Sequence, residues 1–201
     1  MMHFNLNDEK LWGVFKTLSR PRSQVKRGVL HWASGGPDAK LGMAVDPWLD
    51  LLVAVNKPRG TGYSAVVGGD TLYLTSPWTA VTQHCGGSDW GNTESYGVSI
   101  LYPGPSRKPR GLAGETLGPH SSLGKAWYPE IPEGQILLAA WAFRCIKKEA
   151  GLEEVKGHWE INGKKNDPRP IDMDFFRRLV FDDVFWEEQL LKIMPTPAKV
   201  I

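Results

Sequence analysis

The stretch Val155-Lys156-Gly157-His158-Trp159-Glu160-Ile161-Asn162-Gly163-Lys164-Lys165-Asn166-Asp167-Pro168 joins a strand-like apolar piece, Val155 to Ile161, to a polar turn that Pro168 closes. It sets an imidazole, an ammonium and a carboxylate close together in the chain. Far upstream, Gly28-Val29-Leu30-His31-Trp32 reads as a short buried strand. His31 ends its apolar core and opens onto Ser34-Gly35-Gly36-Pro37, so it is expected to point from a sheet edge into a cleft. Two imidazoles and a carboxylate form a donor set suited to Zn²⁺, with the fourth position left to water. Taken alone, the same residues also read as a satisfied core histidine and an aspartate capping the turn before Pro168. Spacing does not separate the two.

Working outward, the chain alternates helical and strand patterns. Asn7 caps a predicted helix over 8–18, with Leu11, Trp12, Phe15 and Leu18 at helical spacing. Asp46-Pro47 opens a second helix to about Val55. Tyr63 to Val67 and Thr71 to Thr75 flank Gly68-Gly69-Asp70, a hairpin signal. Gly97 to Leu101 is a further strand. From Tyr102 to Pro129 the chain is rich in Gly, Pro, Ser and basic residues, with no periodicity, and reads as a long loop, functional or mobile. Glu133 to Ala150 is the strongest helix, closed by Gly151 and expected to bury Cys145. Asp172 caps a last amphipathic helix, 173 to about 180. This order predicts α/β architecture: a single domain with a central mixed β-sheet flanked by helices. The expected divisions are an N-terminal helical extension (1–26), the main domain (27–181) and a C-terminal tail (182–201) packed on it.

Composition narrows the function classes. At 201 residues, 41% hydrophobic and 23% charged, the chain can bury one core without disulfides. Lys+Arg 24 against Asp+Glu 22 leaves +2, too little for a nucleic-acid coat, so no nucleic-acid partner is expected. The longest apolar run, Ile136 to Phe143, has eight residues against the roughly 20 of a membrane span, so no transmembrane segment is expected. Met1 to Lys10 lacks the basic and apolar regions of a secretory signal. Cys85 and Cys145 show no metal or redox spacing and suit a reducing compartment. The expectation is cytoplasmic synthesis of a monomer.

Read as a series, the blocks resemble the zinc-dependent N-acetylmuramoyl-L-alanine amidases, which include phage lysozyme-type amidases and peptidoglycan recognition proteins. Val29-Leu30-His31-Trp32-Ala33-Ser34-Gly35 is similar to the strand that opens the family's core. Tyr63-Ser64-Ala65-Val66-Val67-Gly68-Gly69-Asp70-Thr71-Leu72-Tyr73 resembles its Tyr-led hairpin. Ala80-Val81-Thr82-Gln83-His84 and Asn92-Thr93-Glu94-Ser95-Tyr96-Gly97-Val98 follow in family order, then a helix from Gln135. Gly157-His158-Trp159-Glu160-Ile161 and Lys165-Asn166-Asp167-Pro168 close the series.

The resemblance implies Zn²⁺ held by His31, His158 and Asp167. It places Lys165 as the catalytic cation and Tyr63 beside the metal. Apart from the resemblance, His84 and Asn92 are expected along the substrate groove, with Trp90, or else Trp32 or Trp159, stacking on sugar or peptide. For His84, a structural loop histidine is the alternative. Three positions depart from the family pattern. Ser99 stands where many members carry a Glu general base, Ser64 replaces a histidine beside Tyr63, and Arg169 replaces a glycine. Glu94 is a candidate substitute for the base, and proton transfer to the departing amine falls to water or Tyr63.

The implied activity is hydrolysis of the amide between N-acetylmuramic acid and L-alanine, on peptidoglycan or on muropeptides. A phage-type endolysin would reach the wall through holin-type or other external release. A cytoplasmic muropeptide-recycling amidase and a non-catalytic peptidoglycan-binding module are the alternatives.

Overall fold

A strand that carries Val29, Leu30, Trp32 and Ala33 is apolar on both faces and belongs in the interior of a sheet. The protein places it there. This computed structural model describes residues 3–5, 25–34, 62–75, 81–82, 84–85, 91–92 and 94–193. A six-stranded sheet runs in the order β1 (His3–Asn5), β4 (Thr71–Leu74), β3 (Ala65–Gly68), β5 (Ser95–Tyr102), β2 (Arg27–Ser34) and β8 (Glu154–Gly157). β2 is parallel to β5 and to β8, β3 to β5, and β1 to β4, while β3 and β4 form an antiparallel hairpin. At the hairpin turn Gly69 takes φ 59°, a backbone state open to glycine without strain.

The helix α1 (Glu133–Ala150) lies across β3, β4 and β5 and buries Leu137, Leu138, Phe143 and Ile146. It ends at Gly151, whose left-handed φ of 69° lets its N–H reach the Lys147 carbonyl at 3.0 Å. Asp172 starts α3 (Met173–Phe181) by accepting the N–H groups of Asp174 and Phe175 at 2.9 and 3.2 Å. Phe143 and Phe176 meet edge to face, centroids 5.9 Å apart, joining α1 to α3. The helix α4 (Asp183–Ile193) packs on α3. An Arg144–Asp183 ion pair ties it to α1, with the Arg144 guanidinium 5.0 Å above the Trp186 ring. The mixed, helix-flanked sheet is the architecture expected from the sequence.

Several local expectations are corrected. His3 is part of an edge strand, because β4 offers an open edge for parallel pairing. The helices expected over 8–18 and 47–55 lie outside the described residues, as does Trp90. β2 is not an edge strand, since β5 and β8 flank it. β8 stops at Gly157, and 158–161 form one helical turn, α2 (His158–Ile161). Glu160 turns the chain there: its carboxylate accepts the Gly157 N–H at 2.7 Å, which a continuing strand would have used in its ladder. Cys145 is half-buried rather than fully buried. Within the stretch read as a loop, β6 (Thr116–His120) and β7 (Gly124–Tyr128) form a second hairpin. Its alternation was hidden by Gly118 and Pro119.

Gly28 marks a close approach of α1 to the sheet, because a Cβ there would lie 2.5 Å from Phe143 Cε1. Both groups are embedded in the core, so neither can give way cheaply. A Gly28→Ala variant is expected to lose about 1–3 kcal/mol of stability, read by urea unfolding. An unchanged midpoint would show that α1 is free to shift on the sheet.

Candidate functional site

Strand register brings the first two side chains together. In the parallel pair β2–β8, Leu30 lies opposite Gly157, so the next residue on each chain, His31 and His158, emerges at the same end. Their rings sit 4.6 Å apart, edge to face. The turn after α2 then returns Asp167 beneath them. Asp167 Oδ2 lies 2.9 Å from His31 Nδ1 and 3.0 Å from His158 Nδ1. The Asp167 carbonyl accepts the Trp159 N–H at 2.9 Å, and the Asp167–Pro168 peptide is cis. Gly157 leaves room for this return, since a Cβ there would stand 2.9 Å from Pro168 Cδ. Arg177 of α3 holds the corner from behind, donating to the Glu160 carboxylate and, through Nε, to the Val155 carbonyl at 3.0 Å.

His31, His158 and Asp167 are all buried, with relative exposures of 1%, 4% and 9%. Burial opposes ionisation of Asp167, but hydrogen bonds from His158 and His31 outweigh it and hold the carboxyl well below the usual carboxylate range. Burial also lowers the His31 pKa, despite the carboxylate beside it, so this ring is neutral at pH 7. A neutral imidazole and an ionised carboxylate are the protonation states that metal ligands need. The donor atoms of these three residues lie within 4.8 Å of one another. A tetrahedral zinc site, with bonds of about 2.0–2.2 Å, has ligand–ligand edges near 3.4 Å. The 2.9 and 3.0 Å separations need only a small opening to reach that shape. The residues present fit a zinc ion.

His84, expected along the substrate groove, is buried behind His31. Its Nδ1 lies 3.0 Å from His31 Nε2, and its Nε2 lies 3.2 Å from Ser95 Oγ, which donates to the Gly91 carbonyl at 3.1 Å. When a metal takes Nδ1 in place of the proton donated to Asp167, His31 would carry its proton on Nε2, and every link from there to Gly91 has one donor and one acceptor. Asn92, also expected to touch substrate, uses its Oδ1 to accept the N–H groups of His84 and Cys85 at 2.8 and 2.9 Å. Gly97 makes space for the relay, because a Cβ there would fall 2.5 Å from His84 Cγ. Sequence reasoning gave Ser95 and Gly97 no role, although the Asn92-to-Val98 block contained both.

His31, His84 and Cys85 form a second cluster of potential donors. Cys85 is fully buried and burial pushes its thiol up to about 12, so the thiolate a metal needs is disfavoured. The first cluster is the better metal site.

Tyr63 stands against His31 with ring centroids 5.0 Å apart, its carbonyl accepting the Thr75 hydroxyl at 2.5 Å. Burial and the Asp167 charge raise the Tyr63 phenol above its ordinary value, so it stays protonated as a hydrogen-bond donor. Lys165 is exposed, and its positive charge acts on both His31 and Cys85. Ser99 is fully buried and pairs opposite His31 across β2 and β5. Glu94 does not replace the missing base: it is exposed and faces Arg27, Oε2 to Nη1 3.6 Å, at the other end of β2.

A family model described as N-acetylmuramoyl-L-alanine amidase matches residues 21–170. Comparison with curated proteins gives no match. Among solved structures, PlyL is similar with 16% identity over 90% of this chain and 96% of that one, TM-score 0.56. The N-acetylmuramoyl-L-alanine amidase LysC from Clostridium intestinale URNW is similar with 15% identity, covering 81% and 89%, TM-score 0.54. A mutant endolysin from Bacillus subtilis is similar with 17% identity, covering 82% and 92%, TM-score 0.51. At these identities the structural likeness establishes the fold.

The relay makes a specific demand on His84. A His84→Ala variant is expected to bind Zn²⁺ about 10–100-fold more weakly, measured by competition with a chromophoric chelator, while its circular dichroism stays native. Unchanged affinity would separate His84 from the site.

Proposed function

Because the chain belongs to the N-acetylmuramoyl-L-alanine amidase family, whose model spans residues 21–170, we propose that it is a zinc-dependent hydrolase of the bond between N-acetylmuramic acid and L-alanine in peptidoglycan. The observation that carries this reading is the convergence of two imidazole Nδ1 atoms on one buried Asp167 oxygen. His31, His158 and Asp167 would hold the ion, which when bound supplies Lewis acidity toward the amide carbonyl and toward water.

The chain's own groups divide the remaining work. Lys165, exposed at the rim, offers an ammonium to the oxyanion that develops as the carbonyl becomes tetrahedral. Tyr63, kept protonated beside His31, donates a hydrogen bond to the same region. Proton transfer to the departing amine falls to water or Tyr63. Ser99 cannot act as the carboxylate base that many family members use. The likeness to endolysin structures supports action on the wall, with external release as the route to it.

Ser99 also favours a second reading, a module that binds peptidoglycan without cutting it. The two readings separate on one assay. Purified peptidoglycan treated with the protein is expected to release new N-terminal alanine, and a zinc chelator is expected to stop it. A Lys165→Ala variant should lose about 10²–10³-fold in kcat with zinc still bound. No release from folded, zinc-loaded protein that still binds peptidoglycan would establish the binding module instead.

A further inference from the structure

The stretch from Pro103 to Glu130 has no part in the metal cluster, yet it is elaborately built. The Glu115 carboxylate accepts the backbone N–H groups of Arg110, Gly111 and Leu112 at 2.8, 2.8 and 3.2 Å. The Arg110 guanidinium donates to the Pro103 and Gly104 carbonyls at 3.4 and 2.5 Å. Ser106 and Trp127 exchange backbone hydrogen bonds at 2.9 and 2.8 Å. The Tyr128 hydroxyl spans its own hairpin to the Pro119 carbonyl at 2.6 Å. Such anchoring holds β6 and β7 as a fixed wall.

The tip of that wall is clipped to the loop that carries the site. Ser121 N–H donates to Asn166 Oδ1 at 2.7 Å, and Ser121 Oγ donates to the Lys164 carbonyl at 3.0 Å while accepting from Asn166 Nδ2 at 2.9 Å. Asn166 sits between Lys165 and Asp167 in the chain, so the hairpin borders the reaction centre.

The two faces of the hairpin differ. Ala126 and Tyr128 turn inward and are buried, with relative exposures of 0% and 2%. The alternate residues turn outward in cross-strand pairs, Leu117 with Trp127 and Pro119 with Lys125. Leu117 is 51% exposed and Leu123, in the turn, 37%. Two of the four exposed large hydrophobic residues among the described residues therefore lie on this hairpin. Its charge is one-sided as well. Thr116 to Tyr128 contains no Asp or Glu, and the adjoining 162–169 loop carries Lys164, Lys165 and Arg169 against the single, buried Asp167.

An apolar, aromatic strip edged by cations is complementary to a polymer that alternates sugar faces with carboxylates. We propose that the outward face of this hairpin binds the peptidoglycan strand beyond the amide being cut. Sugar C–H faces lie on Trp127, Leu117 and Pro119, and neighbouring stem-peptide carboxylates lie against Lys125 and Lys164. This rests on the proposed amidase activity for its substrate, and it makes intact wall polymer, rather than a small soluble fragment, the favoured form.

The test uses the full chain and a Leu117→Ser/Lys125→Glu double variant, both positions being exposed, with Trp127→Ala as a second variant. Co-sedimentation with sacculi stripped of attached anionic polymer, under chelation to prevent turnover, reads binding alone. Turnover is read separately on sacculi and on a soluble N-acetylmuramoyl peptide. The proposal expects each variant to bind sacculi about tenfold more weakly, and its sacculus-to-fragment ratio of kcat/KM to fall by a similar factor. It is overturned if wild-type protein fails to sediment with the stripped sacculi, if the double variant binds as wild type does, or if both substrates are lost in equal measure. Wild-type binding without turnover on either substrate would overturn the amidase reading, while the sedimentation result would still decide the hairpin proposal.

Discussion

A carboxylate buried beneath two imidazoles is an expensive object to hold, and much of this fold is arranged around it. An isolated buried charge costs several kcal/mol, and removing a partner leaves that cost uncompensated. Asp167 is ionised despite its burial because His31 and His158 both face the same oxygen. The cluster therefore exists only if a strand near the start of the domain and a turn near its end are brought into register. The Leu30–Gly157 pairing of β2 and β8 does this, and α3 secures it through Arg177, Glu160 and the Val155 carbonyl. The same side chains that lower the cost of the buried charge present the donor set that a zinc ion would need.

Beyond the donor cluster, polar groups hold its side chains in orientation. The His31–His84–Ser95–Gly91 relay can support the Nε2–H tautomer that His31 would need once a metal takes its Nδ1. Cys85, the neighbouring soft donor, is kept as a thiol by burial. Two potential metal clusters share His31, and their electrostatics sort them: one presents an ionised carboxylate, the other a thiol that resists ionisation.

The sequence was most informative where local rules operate alone. Gly151 and Asp172 marked helix ends that the structure reproduces, because a left-handed C-cap and an N-cap carboxylate act within a few residues. Gly68-Gly69-Asp70 marked its hairpin for the same reason. Reading failed where a distant partner decided the outcome. The change from strand to helical turn at His158 depends on Glu160, and Arg177 of α3 holds that carboxylate in place. His3 became a strand because β4 had a free edge. The hairpin of β6 and β7 was invisible as alternation, since Gly118 stands on its inward face where an apolar residue would have signalled burial, and Pro119 reads as a strand breaker. At the site, the ordered blocks named residues that the structure brings together: His31, His158, Asp167, Tyr63 and Lys165. They could not show that His84 and the Asn92 amide oxygen are used inside the protein, because a motif specifies neighbours in the chain and not which groups a loop turns inward.

The central claim is that the metal belongs to His31, His158 and Asp167, with His84 and Cys85 outside the coordination sphere. X-ray absorption at the zinc edge of the loaded protein tests it most directly. The account predicts nitrogen and oxygen neighbours alone, at about 2.0–2.2 Å, with imidazole outer-shell scattering. A sulfur neighbour at about 2.3 Å would place Cys85 on the metal and contradict the assignment.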